Sequence, residues 1–372
     1  MNFSCEKALL NSAVNVTARA VSPKSSIPAL EGILLEAVNG KITLTGYNLE
    51  TGIRTSLEAQ VKEEGSLVVS ARLFGDIIRN LPDDMVKVTT DGLSIHISCG
   101  LSDFHIMGTD PQEFPDLPAV DDGSALFIHQ NKLKSMISQT VFAVSDNESR
   151  PIHTGALFEV EAGFLTMVAV DGYRLALRKE ALDHTVGGNG FSFVVPGAAL
   201  KEVERICTDS EEIVEVTQGK RHILFQMGST LLISRRLEGE FLNYKQTIPR
   251  GNPIRLEVEK RALQTSVERV SLIINDKLKS PLRCTFGQCV LEITTKTAVG
   301  NAFDSCAFQG DGKGLEIGFN NRYLLEALRA VPDSTVVLEL NTPTSPCLIL
   351  PASQDEDKFL YMVLPVRLKA GE

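Results

Sequence analysis

Asp171 is the carboxylate of this 372-residue sequence most open to a catalytic reading, because the turn Val170-Asp171-Gly172-Tyr173-Arg174 would hold it at a sheet end. General acid–base chemistry needs a second titrating group or a nucleophile within hydrogen-bond reach, and none lies near it in sequence. The six histidines, His96, His105, His129, His153, His184 and His222, are scattered, and most alternate with apolar neighbours as ordinary strand residues do. The seven cysteines (5, 99, 207, 284, 289, 306 and 347) are odd in number and form no Cys-x-x-Cys pair. Only Cys284 and Cys289 lie close, and no neighbouring His or Cys pair completes a zinc set, so they read as reduced, mostly buried thiols. The phosphate loop Gly-x-x-x-x-Gly-Lys-Ser/Thr, the dinucleotide motif Gly-x-Gly-x-x-Gly, His-Glu-x-x-His and Gly-x-Ser-x-Gly are all absent. The expected chemistry is recognition: no catalytic residue, metal or cofactor, with Asp171 serving as a turn former.

The elements around Asp171 are a strand over Leu165–Val170 and a second over Leu175-Ala176-Leu177. An Asp-Gly turn of the primed type, with positive φ at both central residues, joins them. Tyr173, Arg174 and Leu175 then present a planar donor and two apolar groups at the sheet end. Gly46-Tyr47-Asn48-Leu49-Glu50 echoes Gly172-Tyr173-Arg174-Leu175-Ala176 at an offset of 126. Val69-Ser70-Ala71-Arg72-Leu73 echoes the stretch from Val195 at the same offset, and Glu113-Phe114 recurs at Glu240-Phe241. Phe319-Asn320-Asn321 fits the same strand-to-helix junction again. A period near 124 in 372 residues means three copies of one domain.

Hydrophobic periodicity places the helices. One runs from a Ser4 cap through about Arg19, and a second, capped by Ser70, ends at Pro82. Others start at Asn131 (reaching Val144), at Gly197 (through Cys207), at Arg261 (through Ile274) and at Asn320. Short strands rich in Val, Ile and Thr fill the intervals, the last covering Phe359–Leu368. Each repeat is then a pair of strand-helix-three-strand units, in an α+β chain with domains 1–120, 126–249 and 254–372. A Pro-rich connector over Thr109–Val120, the turn Gly187–Gly190 and Arg250–Pro253 punctuate it.

With 43% hydrophobic and 23% charged residues the chain has globular cores. No apolar run spans a bilayer and the N-terminus lacks a basic signal-peptide start, which gives a cytoplasmic reading. Net charge is −10, yet the predicted helices together carry +6 and the remainder −16. If the helices share one side of the sheets, that side attracts phosphate and the other repels it. Three readings stay open at this level: a scaffold binding DNA without chemistry, a three-domain enzyme using Asp171 with a histidine, and a repeat protein for carbohydrate or peptide.

Tyr361-Met362-Val363-Leu364-Pro365-Val366-Arg367-Leu368 resembles the C-terminal signature of the bacterial sliding clamp family, the beta subunit of DNA polymerase III. Val170-Asp171-Gly172-Tyr173-Arg174-Leu175 resembles its central signature, and Glu240–Tyr244 with Ile248-Pro249 the segment closing its second domain. The resemblance covers the whole chain. It implies the DNA clamp fold, with sheets outside and helices lining a ring made by two head-to-tail chains. It implies a non-enzymatic processivity factor on duplex DNA, without sequence preference or membrane. It implies a pocket for short apolar motifs of the replicative polymerase, the clamp loader and repair proteins, formed by His153, Val170, Gly172, Tyr173, Arg174, Leu175, Leu242, Met362, Val363, Leu364, Pro365, Val366, Arg367 and Leu368, with Asn320 and Tyr323 beside it. The helix residues Arg72, Arg79, Lys132, Lys134, Lys201 and Arg205, with Lys24 and Arg150 on loops, would face DNA. Phe104 and Ile106 would meet Leu272 and Ile273 of a second copy. Tyr173 stands where the family commonly has His, Val170 where it has Thr, Leu242 where it has Pro and Gln246 where it has Arg.

Overall fold

The computed structural model describes residues 1–120, 123–186, 190–275, 280–352 and 358–368; most of the turn expected at Gly187–Gly190 lies outside them. The chain gathers into two compact units, although three sequence repeats are expected. The cause is that sheets run across repeat boundaries. In the first unit Thr230–Arg235 of the second repeat pairs with Thr51–Glu58 of the first, from Thr230↔Thr55 to Ser234↔Thr51. In the second unit Arg174–Ala181 of the second repeat pairs with Phe359–Val363 of the third.

The first unit comprises Met1–Lys134, Asp183–Gly188 and Lys201–Arg236. It holds a five-stranded sheet in the order Gln60–Glu63, Asn2–Glu6, Met85–Asp91, Ser94–Cys99, Ser102–Met107, so Ser102–Met107 is an edge. Its nine-stranded sheet runs from His184–Val186 at one edge to Gly65–Ser70 at the other. The helices Lys7–Thr17 and Ala71–Asn80 bury Leu10, Val14, Phe74 and Ile78 against Phe3, Ile33, Leu35, Val86 and Ile97 of both sheets. Strict alternation sets the inward faces: Ile95 and Ile97 are fully buried and His96 between them is not.

The second unit comprises Ser135–Leu182, Asn189–Leu200 and Leu237–Glu372. Its ten-stranded antiparallel sheet begins at Phe191–Pro196, passes Gly155–Glu161, Phe164–Val170, Arg174–Ala181 and Phe359–Val363, and ends at Leu282–Thr297. Where three strands are expected between the helices of the third repeat, two long ones run, Leu282–Thr297 and Gly300–Phe319. Bulges near Gln288 and left-handed residues at Cys289 and Gly310 bend these strands without breaking them.

Helix boundaries follow capping chemistry more closely than periodicity. Ser70 and Asn320 cap as expected, each accepting backbone N–H bonds from the first turn. Ser4 does not: it lies in Asn2–Glu6, and the helix starts at Lys7. That helix stops at Thr17, whose buried hydroxyl donates to the Ala13 carbonyl, and a 3-10 turn carries the chain to Ala20. The helix expected to reach Val144 ends at Ser138, with Val141–Ala143 as a separate 3-10 turn, and the one expected to reach Ile274 ends at Ser271. The final strand covers only Phe359–Val363, and the tail to Leu368 leaves the ladder. Among the described residues no helix is long and apolar enough to cross a membrane.

Candidate peptide-binding site

Asp171 shapes the central turn through its side chain. Oδ1 accepts the backbone N–H groups of Tyr173 (2.9 Å) and Arg174 (3.0 Å), a turn held by a carboxylate. Val170 and Leu175 are register partners, so the central pair is Gly172-Tyr173, and only Gly172 takes a positive φ, +91°. The expected Asp-Gly turn with positive φ at both residues is therefore corrected by one position. Asn48 builds the same turn in the first repeat, accepting from Glu50 and Thr51. Asn48 and Asp171 are 123 positions apart, so the echo aligned on Gly46 and Gly172 was three residues out of register.

Arg174 is turned inward and is only 5% exposed. Its Nε donates to Asp171 Oδ2 (2.9 Å), Nη1 to Glu326, and Nη2 to the Phe142 carbonyl (2.6 Å). The guanidinium also lies 4.6 Å from the Tyr323 ring centroid, and Tyr323 stacks on the exposed ring of Tyr173 at 5.9 Å. Arg174 is thus a strut between the turn and the helix Asn321–Ala330, its donors already engaged. Burial works to raise the Glu326 carboxyl, but hydrogen bonds from Arg322 and Arg174 outweigh it and leave the group below its ordinary value. Its stabilising contribution is complete above the usual glutamate range and is lost as pH falls through the folded value. Arg174→Ala is expected to cost about 2–3 kcal/mol, since it removes charge-assisted hydrogen bonds to two carboxylates that keep other partners, Arg322 on Glu326 and two backbone N–H groups on Asp171. The deficit should shrink on acidification; thermal melts of both proteins from neutral to acid pH measure it.

Next to this strut the face of the sheet that the Leu237–Ile248 segment covers is apolar. Directly opposed residues share a face, and the register runs Val168↔Leu177, Val170↔Leu175, Leu175↔Met362, Leu177↔Leu360 and Leu348↔Met362. Tyr361 points the other way, fully buried, its hydroxyl donating to the Ala330 carbonyl. The segment from Leu237 to Ile248 lies over this ladder through Leu237, Phe241, Tyr244 and Ile248. Tyr244 donates to Glu159 Oε2 (2.5 Å) and Lys245 pairs with the same carboxylate (2.9 Å). A cavity of about 620 Å³ opens beside the cover, with Leu177, Leu360, Tyr244 and Ile248 as apolar lining and Glu159, Glu161, Lys179, Lys245 and Arg250 as charged neighbours.

The structure brings Val170, Leu175 and Met362 into one apolar cluster, with Leu242 exposed on the covering segment and His153 edge-to-face with Phe241 at 5.7 Å. Burial first, then Arg150, holds the His153 imidazole below its usual range, toward the neutral form. Gly172 and Tyr173 form the rim of the turn, while Asn320 caps the helix that carries Tyr323. Val363 is wholly buried and offers no surface. Leu364 donates its N–H to Tyr173 (2.9 Å), and Val366 donates to Gly318 (2.8 Å), which ties the tail of Pro365, Arg367 and Leu368 to the sheet. A Cβ on Gly318 would lie 2.4 Å from the Val366 carbonyl oxygen, so only glycine lets the tail approach. The pocket expected from sequence omits Leu177, Tyr244, Ile248, Leu348 and Leu360, although two-residue alternation from Leu175 and Met362 leads to Leu177 and Leu360.

The remaining expected residues belong to other expected surfaces. In the first unit Lys24, Arg72, Lys132 and Lys201, and in the second Arg150, carry no ion pair among the described residues, whereas Arg79, Lys134 and Arg205 pair with Asp76, Asp209 and Glu202. Phe104 and Ile106 sit on the edge strand Ser102–Met107, Ile106 packed against the core. Leu272, 83% exposed, and Ile273 follow the helix Lys260–Ser271 in the second unit. Cys289 is the exposed thiol; burial pushes Cys5, Cys207 and Cys347 up to about 12, far from a reactive thiolate.

Three repeats of paired strand-helix-strand units joined by continuous antiparallel sheets define the DNA clamp fold, in an α+β chain. Residues 1–118, 127–243 and 245–367 match the N-terminal, central and C-terminal domains of the DNA polymerase III beta subunit. The chain is 33% identical to the beta sliding clamp of Halalkalibacterium halodurans, covering 99% of this chain and 100% of that one, and 30% identical to that of Staphylococcus epidermidis, covering 99% of both. Its fold superimposes on the crystal structure of the Bacillus subtilis sliding clamp with a TM-score of 0.93 at 28% identity, covering 99% of this chain and 100% of that one. The beta subunit from Pseudomonas aeruginosa gives 0.93 at 27% with the same coverage. The chain belongs to the DNA polymerase III beta subunit family. It is a DNA sliding clamp, a replication processivity factor and not a catalyst.

Proposed function

We propose that two copies of this chain close head to tail around duplex DNA in the cytoplasm, and that the apolar ladder beside the Asp171 turn captures short peptide motifs of the replicative polymerase, clamp loader and repair proteins. The observation that carries the peptide reading is the cavity of about 620 Å³ beside the covering segment, where Leu177, Leu360 and Ile248 stay partly exposed next to the buried ladder of Val170, Leu175 and Met362. Such a surface suits Leu and Phe anchors, while the turn and the tail beyond Val363 supply backbone donors and acceptors at its rim. Arg174 positions this rim and does not touch the peptide. The domains assigned to this function are 1–120, 126–249 and 254–372. Isothermal titration of an apolar clamp-binding peptide tests the site: Leu177→Asp should remove binding, and undiminished binding would place the site elsewhere.

For the ring, the supporting observation is the unpaired edge at Ser102–Met107, with Phe104 38% exposed on it, together with the exposed Leu272. A heterologous contact forms a closed assembly only when its rotation closes, and exposed edges are sites for pairing with another chain. Leu272→Ala with Ile273→Ala is expected to weaken the dimer by roughly 10–100-fold, the range of one or two buried anchors. Sedimentation velocity across a dilution series reads this directly; a wild type that is monomeric at micromolar concentration would exclude the ring.

A further inference from the structure

His96 and His105 look isolated in sequence but are direct register partners on the adjacent strands Ser94–Cys99 and Ser102–Met107. Asp103 lies two residues from His105, hence on the same face. The opposite face carries the buried Ile95 and Ile97, so the trio occupies the outer surface of the sheet. The imidazoles stack nearly parallel, 4.4 Å between centroids and 4° between planes. Both Nε2 atoms turn to one carboxylate: His96 Nε2 is 2.6 Å from Asp103 Oδ2, and His105 Nε2 is 3.3 Å from Oδ1. One ligand atom from each of the three residues lies within 4.8 Å of the others.

We propose that His96, His105 and Asp103 form a binding site for a divalent transition metal, with two imidazole nitrogens and one carboxylate oxygen as ligands and solvent completing the coordination. Two nitrogen donors select zinc, cobalt, nickel or copper over magnesium and calcium, which prefer oxygen sets. Tetrahedral zinc with Zn–N near ~2.0 Å holds its ligand atoms about 3.3 Å apart. The trio therefore contracts by at most about 1.5 Å, which solvent-facing side chains accomplish by χ rotation on a fixed ladder. Each imidazole coordinates through Nε2 as the neutral Nδ1–H tautomer, and any further proton leaves to solvent. Lys87, across Ser98 from Asp103 on the same face, is the neighbouring cation that bound metal must tolerate. All three ligands come from one chain.

The test is calorimetric titration of chelator-treated full-length protein with Zn²⁺, in a Cys289→Ser background so that the exposed thiol does not compete. The ring protons of the histidines are followed by NMR. One site is expected, with His96 and His105 resonances moving together and the other four histidines unmoved. His96→Gln with His105→Gln should weaken binding by more than about 100-fold, beyond the 10–100-fold loss typical of an outer-shell change. His129→Ala should leave it unchanged. If thermal melts show the double variant unfolded, Asp103→Asn alone decides, with at least about tenfold weaker binding expected. Absence of Zn²⁺ binding up to millimolar concentration, movement of other histidines in place of these two, or undiminished affinity in the variants would overturn the site.

Discussion

Ending the chain at Leu364 is expected to remove peptide capture while leaving the protein folded and dimeric. The cut falls there because Met362 and Val363 belong to the sheet: Val363 pairs with Arg174 on one side and Cys347 on the other, and both side chains are buried. A deletion starting at Met362 would open the ladder and confuse unfolding with loss of the site. Beyond Leu364 the tail is anchored by the Val366 N–H bond to Gly318, with Val366 and Arg367 exposed. Removing it takes away the backbone groups at the rim that would orient a peptide. Affinity for a peptide with Leu and Phe anchors should fall by at least about 100-fold, or about 2.7 kcal/mol. Fluorescence anisotropy with a labelled peptide gives the affinity, and a melt within a few degrees of the parent shows that the fold survived. Equal affinity in the two proteins would show that the tail is no part of the pocket.

The second large effect is topological. Loaded on nicked circular DNA by a compatible clamp loader with ATP and washed in high salt, the protein should remain on the circle; once the DNA is cut, nearly all of it should leave. Direct attraction is too weak to explain retention. The chain carries −10 overall, and three of its eight expected DNA-facing cations are held by acidic neighbours. Contacts from the other five are screened over ~8 Å at physiological salt and decline steeply with added ions. Affinity for a short linear duplex is accordingly expected to be poor. Retention on linear and circular DNA alike would mean electrostatic or sequence-specific binding, and loss from both would mean that no closed ring forms.

The fold was legible where local chemistry and tertiary context agree. Ser70 and Asn320 announce their helices because each side chain satisfies free N–H groups of its own first turn. Ser4 has the same side chain, but pairing of Asn2–Glu6 with Met85–Asp91 claims it for a strand, a partner more than eighty residues away. The turn at Asp171 was visible from its residues; its register was not, because the deciding interaction is a carboxylate bonding two following amides in place of a left-handed aspartate. At the candidate site the motif points to Val170, Leu175 and Met362 and alternation extends it to Leu177 and Leu360, while Leu348 joins them only through the pairing of Cys347–Pro351 with Phe359–Val363. Arg174 read as an available donor. Its burial against Glu326, 152 positions later, is a long-range fact that no local pattern encodes. His96 and His105 also became neighbours only once their strands were paired.

The continuity of the sheets across repeat boundaries has a kinetic meaning. Each of the two repeat junctions is an antiparallel ladder of five register pairs, Thr230–Ser234 with Thr51–Thr55 and Arg174–Arg178 with Phe359–Val363. Parting either one would break backbone hydrogen bonds and expose two strand edges at once. In the proposed assembly the contact at Ser102–Met107 is different, because no covalent chain crosses it. The lifetime of the clamp on a circle is then the dissociation time of that contact, a quantity that substitutions at Phe104 or Leu272 would retune without altering a single group that faces the DNA.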